Sequence, residues 1–135
     1  MLETMLWTAL VILLALLEYM VFGFLVGGAR TRYKIPAPAT SGDPAFERTF
    51  RVHYNTLEML VVFVPSIWLF GMYLNPRWSA IIGVFFLVGR ALYAIGYIRA
   101  PEKRHVGAML SFASLAILLF GAMFGVIRAL WITSN

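Results

Sequence analysis

An all-α membrane protein, built as a bundle of four transmembrane helices, is the fold class this sequence predicts. Three observations predict it. The 135 residues are 61% hydrophobic and only 13% charged, with mean hydropathy +0.84, more apolar surface than one soluble core of this size can hide. The apolar residues fall into four long runs, and a span needs about 20 residues, so four spans use most of one domain. Most of the prolines and charges cluster between the runs or at their ends.

The first span is expected over about residues 2–26. It is apolar apart from Glu3, two threonines and Glu18. No Lys or Arg precedes it and no small-residue cleavage pattern follows, so it reads as a retained span and not as a signal peptide. Gly23 and Gly27 form a small-xxx-small pair that allows another helix to approach closely. Arg30, Arg32 and Lys34 then open a loop over residues 35–44, whose three prolines and Gly42 forbid helix.

The second span is expected over 46–74. Its clean apolar run, Met59 to Leu74, is short for the hydrocarbon core, so the helix must start upstream, with Asp43-Pro44 as its start signal, and enter the membrane carrying charge. Pro65 lies inside it and predicts a kink. Asn75-Pro76-Arg77 is a tight turn, the third span follows over 78–100, and Pro101 suits the first turn of a fourth helix over 102–130.

Charge sets the orientation. The first connection carries Arg30, Arg32 and Lys34 and the third Arg99, Lys103 and Arg104, whereas the second offers Arg77 alone. The positive-inside rule makes the first and third loops cytoplasmic and both termini external, with Trp7, Trp78 and Trp131 at the outer interface. The net charge of +5 is spread over helix ends and makes no soluble basic face, so no nucleic acid partner is expected. The absence of Cys excludes thiolate ligands and a cysteine nucleophile, and His53 and His105 lack ligand spacing; no metal is expected.

Two polar stripes descend from the basic end. At about 100° per residue, Arg51, Asn55 and Glu58 project within roughly 60° of one another, with Glu47 and Arg48 on their flanks, while His53 points the other way. In the third span Arg90, Tyr93 and Tyr97 share a face at i, i+3 and i+7. Polar groups at such depth face a bundle interior or a wet cavity. Arg51, Arg90 and Arg104 outnumber Glu58, and Arg104, in the first turn of the fourth helix, suits an anion. Two readings follow: hydrogen-bonding between helices, or a site for an anionic ligand not supplied by this chain. Arg30, Arg32, Lys34 and Lys103 read individually as orientation signals or lipid headgroup contacts. Glu18, without a partner in its own helix, either pairs with a buried Arg or carries a proton.

The segment Phe46-Glu47-Arg48-Thr49-Phe50-Arg51-Val52-His53-Tyr54-Asn55-Thr56-Leu57-Glu58, followed by Gly89-Arg90-Ala91-Leu92-Tyr93-Ala94-Ile95-Gly96-Tyr97 and then Arg104, resembles the MAPEG family, the membrane-associated proteins in eicosanoid and glutathione metabolism. The resemblance spans essentially the whole chain. It implies a homotrimer of four-helix subunits in the lipid bilayer, with glutathione as co-substrate between adjacent subunits near the cytoplasmic face. By position it assigns glutathione binding to Arg51, Asn55, Glu58, Arg90, Tyr93 and Tyr97, with Arg30 and His53 as lesser contributors and Glu58 suited to the ammonium. Arg104 matches the arginine that stabilises the glutathione thiolate in catalytic relatives, for attack on a lipophilic electrophile or peroxide. The sequence departs from several eukaryotic members at Met59, where they carry Tyr, and at Thr31, which breaks an arginine pair. A non-catalytic lipid-binding member of the family and a small proton-coupled exporter using Glu18 are the alternative functions.

Overall fold

A computed structural model describes residues 2–135. Helix α1 spans Leu2–Tyr33, α2 Pro44–Tyr73, α3 Pro76–Arg99 and α4 His105–Ser134, with a single 3-10 turn, Pro101–Arg104, ahead of α4. All four helices are long and apolar enough to cross a bilayer. Large apolar side chains such as Leu13, Phe24, Val61, Phe112 and Phe120 are exposed along their outer faces. The chain is an integral multi-pass membrane protein, with lipid as the solvent of that exterior.

Each helix begins and ends for a local reason. Helix α1 continues past Val26 through Arg30 and Arg32, because nothing in that stretch breaks a helix before Lys34. There the backbone turns left-handed (φ 56°), and the Ile35 N–H returns to the Arg30 carbonyl at 3.0 Å, a Schellman closure. Asp43 caps α2, its Oδ1 accepting from the N–H groups of Ala45 (2.8 Å) and Phe46 (3.3 Å). Gly42 just before it has φ 141°, and a Cβ there would sit 2.7 Å from Ile35 Cδ1, so only glycine fits. Asn75 caps α3 through Trp78 N–H at 3.0 Å, with Pro76 at the first helical position.

The bundle is held by packing, since lipid supplies no hydrophobic drive between helices. Phe63 of α2 and Phe86 of α3 are both fully buried and stack at 3.9 Å between ring centroids. Helices α1 and α3 run parallel; near their N-termini Thr8 and Ser79 share a hydrogen bond of 2.6 Å. Helices α3 and α4 approach most closely, because glycines line the seam: a Cβ on Gly89 would lie 2.7 Å from Ser111 N, and one on Gly107 would lie 2.5 Å from Tyr93 Cα. This seam fixes the 3-10 turn against the end of α3, where Tyr93 and Tyr97 sit.

Candidate functional site

The site is built on the first four turns of α2. Arg51 Nη2 lies 3.8 Å from Glu58 Oε2 and Asn55 Nδ2 donates to the same oxygen at 3.2 Å, so the three residues on one stripe make one connected group. It remains open: the Arg51 and Glu58 side chains are 52% and 46% exposed. One turn earlier Arg48 Nε donates to the Ile98 carbonyl at 3.3 Å, satisfying one of the carbonyls that the end of α3 leaves without a helical partner.

Helix α3 supplies the second wall. Arg90 is 1% exposed. Its Nη2 donates to Thr56 Oγ1 at 2.8 Å, its Nη1 to Met59 Sδ at 3.1 Å, and its Cζ lies 4.4 Å from the centroid of the Tyr93 ring. Tyr93 in turn packs on Tyr97 at 5.5 Å, and Arg104 Cζ sits 5.5 Å from the Tyr97 centroid. Guanidinium, phenol, phenol and guanidinium thus form a ladder from the buried interior to the exposed Arg104. Arg104 itself belongs to the 3-10 turn and occupies the N-cap position of α4 without a side-chain capping bond. The reason is Pro101, which follows an extended Ala100, and the tighter turn closes through Lys103 N–H to the Ala100 carbonyl at 3.1 Å.

Two hollows lie along these walls. One, of about 490 Å³, is bounded by Thr40, Ser41, Arg48, Arg51, Tyr97 and Pro101 among others. The next, of about 380 Å³, is bounded by Asn55, Met59 and Arg90 and by Ala108, Met109 and Phe112 of α4. Arg51 and Asn55 are one helical turn apart, so the hollows follow each other down α2. The first is the more polar of the two; the second puts Arg90 beside thioethers and a phenyl ring. Such a groove suits a ligand with an anionic part and an apolar neighbour. A larger cavity of about 540 Å³ lies at the opposite end of the bundle, by Trp7 and Arg77, away from every arginine of the stripes.

Arg30 and His53 are placed elsewhere. Arg30 Nη1 donates to the Ala39 carbonyl at 2.7 Å, and its Cζ lies 5.0 Å from the Phe46 centroid, which braces the loop before α2. His53 stacks on Tyr19 of α1 at 4.4 Å and 12°, in space left by Gly23, where a Cβ would come within 3.2 Å of His53 Nε2. Within one chain both therefore face α1 and the loop, not the groove. Glu18 is the residue that helix-face reasoning leaves without a partner: its Oε1 is buried without a hydrogen bond, as is Arg90 Nε on α3. Its signal in the sequence is its place on the inward stripe of α1. Among the described residues no cluster of three His, Cys, Asp or Glu could hold a metal ion.

Comparison with known proteins gives a consistent result. The profile described as "MAPEG family" matches residues 7–124. The chain is 47% identical over 123 residues to the uncharacterized protein sll1147 of Synechocystis sp., covering 91% of this chain and 90% of that one. It is 39% identical over 116 residues to microsomal glutathione S-transferase 2 of Homo sapiens (85% and 79% covered). It is 33% identical over 119 residues to leukotriene C4 synthase of Rattus norvegicus (88% and 79% covered).

Proposed function

The chain belongs to the MAPEG family, and from that premise we propose that it is a membrane-bound glutathione transferase with glutathione peroxidase capacity, acting on lipophilic substrates. The observation that carries this reading is the ladder from Arg90 through Tyr93 and Tyr97 to Arg104 beside the Arg51–Asn55–Glu58 group. Those residues offer three guanidinium groups against one carboxylate. Glutathione brings two carboxylates and one ammonium, plus a thiolate when activated, which is the complement such a site lacks. Two of the relatives carry glutathione transferase or leukotriene C4 synthase activity in their names.

In this reading Arg51 and Arg90 hold carboxylates, Glu58 the ammonium, and Asn55, Tyr93 and Tyr97 orient the peptide. Arg104 stabilises the thiolate. A free thiol of pKa about 8.5 is mostly protonated at neutral pH, and each unit of depression corresponds to about 1.36 kcal/mol. The exposed Arg104 leaves the proton a path to water. The thiolate then attacks an electrophilic carbon, forming a C–S bond as the leaving group (chloride in chlorodinitrobenzene) departs with its electron pair, or a peroxide oxygen, breaking the O–O bond to give a sulfenic acid and an alcohol. A second glutathione then reduces the sulfenic acid to the disulfide and water. Met59, Met109 and Phe112 give the apolar partner a surface reached from the bilayer.

The active form we propose is a homotrimer in which a neighbouring subunit completes the groove. The openness of Arg51 and Glu58 supports it, since the face they leave exposed is one that a neighbouring subunit can close. The basic loops favour a cytoplasmic site and external termini.

The test is turnover of glutathione with chlorodinitrobenzene, and of a lipid hydroperoxide, by detergent-purified protein. We expect activity in the wild type and a loss of about 10²-fold or more in Arg104→Ala, the scale of removing one group that stabilises charge at the reacting atom. Glutathione binding without either reaction would overturn the enzyme and favour a lipid-binding member of the family. No glutathione binding, with proton-coupled transport abolished in Glu18→Gln, would favour an exporter.

A further inference from the structure

The inward stripe of α1 reads Thr8, Val11, Ala15, Phe22, Val26 and Ala29, all buried, at steps of three and four residues. Glu18 occupies the step between Ala15 and Phe22, where the pattern calls for an apolar residue. A carboxylate in that place is costly in a bilayer and needs a partner in the bundle. The parallel course of α1 and α3 says which one. Thr8 meets Ser79, and Phe22 lies in the cluster of Tyr93 and Ala94; the same register sets Glu18 level with Arg90.

Their polar atoms agree. Glu18 Oε1 and Arg90 Nε are the two buried side-chain polar atoms left without a hydrogen bond among the described residues, with no direct ion pair between the two groups. Arg90 turns Nη1 and Nη2 towards Met59 and Thr56 of α2, the side on which it borders the groove. The guanidinium thus stands between a carboxylate behind it and the groove in front.

We propose that Glu18 is the resident counter-ion of Arg90 and sets the anion affinity of the groove, because its negative charge offsets part of the field that Arg90 offers an incoming carboxylate. The pairing stands on the structure alone; the effect on affinity rests on the glutathione reading above. Glu18 touches no substrate and is a positioning residue whose sign is distinctive. A residue that merely supports the packing weakens binding when replaced. A counter-ion strengthens it, since opposite charges a few ångströms apart still interact at an effective dielectric near 20.

Two measurements on the full-length protein in detergent test this. The first is a double-mutant cycle in thermal unfolding without ligand, using Glu18→Gln, Arg90→Gln and the double variant. We expect each single change to destabilise and the double to be more stable than their sum; should a single variant not fold, a folded double variant supports the pairing equally and an unfolded one overturns it. Additive effects overturn the pairing. The second is binding of S-hexylglutathione, whose blocked thiol separates binding from chemistry. Glu18→Gln is expected to bind about three- to tenfold more tightly than wild type, and Glu18→Asp, which keeps the charge, to remain near wild type. Unchanged or weaker binding by Glu18→Gln overturns the affinity effect. A wild type that binds neither S-hexylglutathione nor glutathione, together with a coupled cycle, refutes the glutathione function and the affinity effect while upholding the pairing.

Discussion

Gly107 is the position at which one methyl group should cost the protein its activity. Helix α4 passes the end of α3 with backbone against backbone: a Cβ on Gly107 would lie 2.5 Å from Tyr93 Cα and 2.7 Å from the Gly89 carbonyl oxygen, and would also meet the Tyr93 nitrogen. Ordinary contact begins near 3.4 Å, so Gly107→Ala must part the helices by about 1 Å, the scale at which misplacement costs about 10²-fold in rate. The strain has no flexible side chain to absorb it, since the neighbours are backbone. Overpacking of this kind costs about 1–3 kcal/mol, and it falls between Tyr93 and Arg104, three residues away. The assay pairs conjugation kcat/KM with thermal unfolding in detergent. Gly107→Ala should lower both, with a rate loss of about 10²-fold. Gly28→Ala provides the control: nothing lies within 4 Å of a Cβ there, and removing a helical glycine is worth about 1 kcal/mol in propensity, so it should be neutral or stabilising. A Gly107→Ala protein with wild-type rate and stability would refute the close α3–α4 seam and its control over Arg104.

Thr56→Val removes the acceptor of Arg90 Nη2 and keeps the side-chain shape; it should lower stability by about 1.5–3 kcal/mol, the scale for a hydrogen bond to a charged group, read by thermal unfolding. Asp43→Ala removes both capping bonds of α2 and should cost about 1 kcal/mol in the same measurement, with the loop before α2 becoming more susceptible to protease. Glu58→Gln breaks an ion pair that is half exposed, so its stability should change by less than about 1 kcal/mol. Its glutathione KM should rise severalfold because the ammonium partner is lost, a split that steady-state kinetics resolves.

The helix boundaries show which physics a sequence displays. Asp43-Pro44 and Asn75-Pro76 are local signals, and the caps they form depend on nothing beyond the next turn. The end of α1 does not follow from composition: Arg30 and Arg32 mark a membrane surface, but a surface charge does not stop a helix, and the backbone turn at Lys34 does. Spacing alone puts Arg104 in an α-helical first turn; the extended Ala100 before Pro101 makes that turn 3-10 instead.

The candidate site is legible where periodicity governs. Arg51, Asn55 and Glu58 share a stripe because 3.6-residue spacing puts them there, and their contacts follow from it. Periodicity also places Arg90, Tyr93 and Tyr97 together, but how deep Arg90 lies, and that Met59 and Thr56 receive its hydrogen bonds, depends on how α2 and α3 pack. The level at which Glu18 meets Arg90 depends on the register of α1 against α3, which no single helix encodes. His53 needs the contact between α1 and α2 to show that it stacks on Tyr19. The family profile and the relatives agree with the resemblance read from the two segments.

The central claim, that Arg104 holds glutathione as a thiolate in this groove, is tested most directly by the ultraviolet difference absorbance of the thiolate when glutathione is added to the purified protein at neutral pH. The account predicts a saturable thiolate signal in the wild type that is lost in Arg104→Ala while S-hexylglutathione still binds. Bound glutathione without a thiolate signal in the wild type, or an undiminished signal in Arg104→Ala, would contradict it.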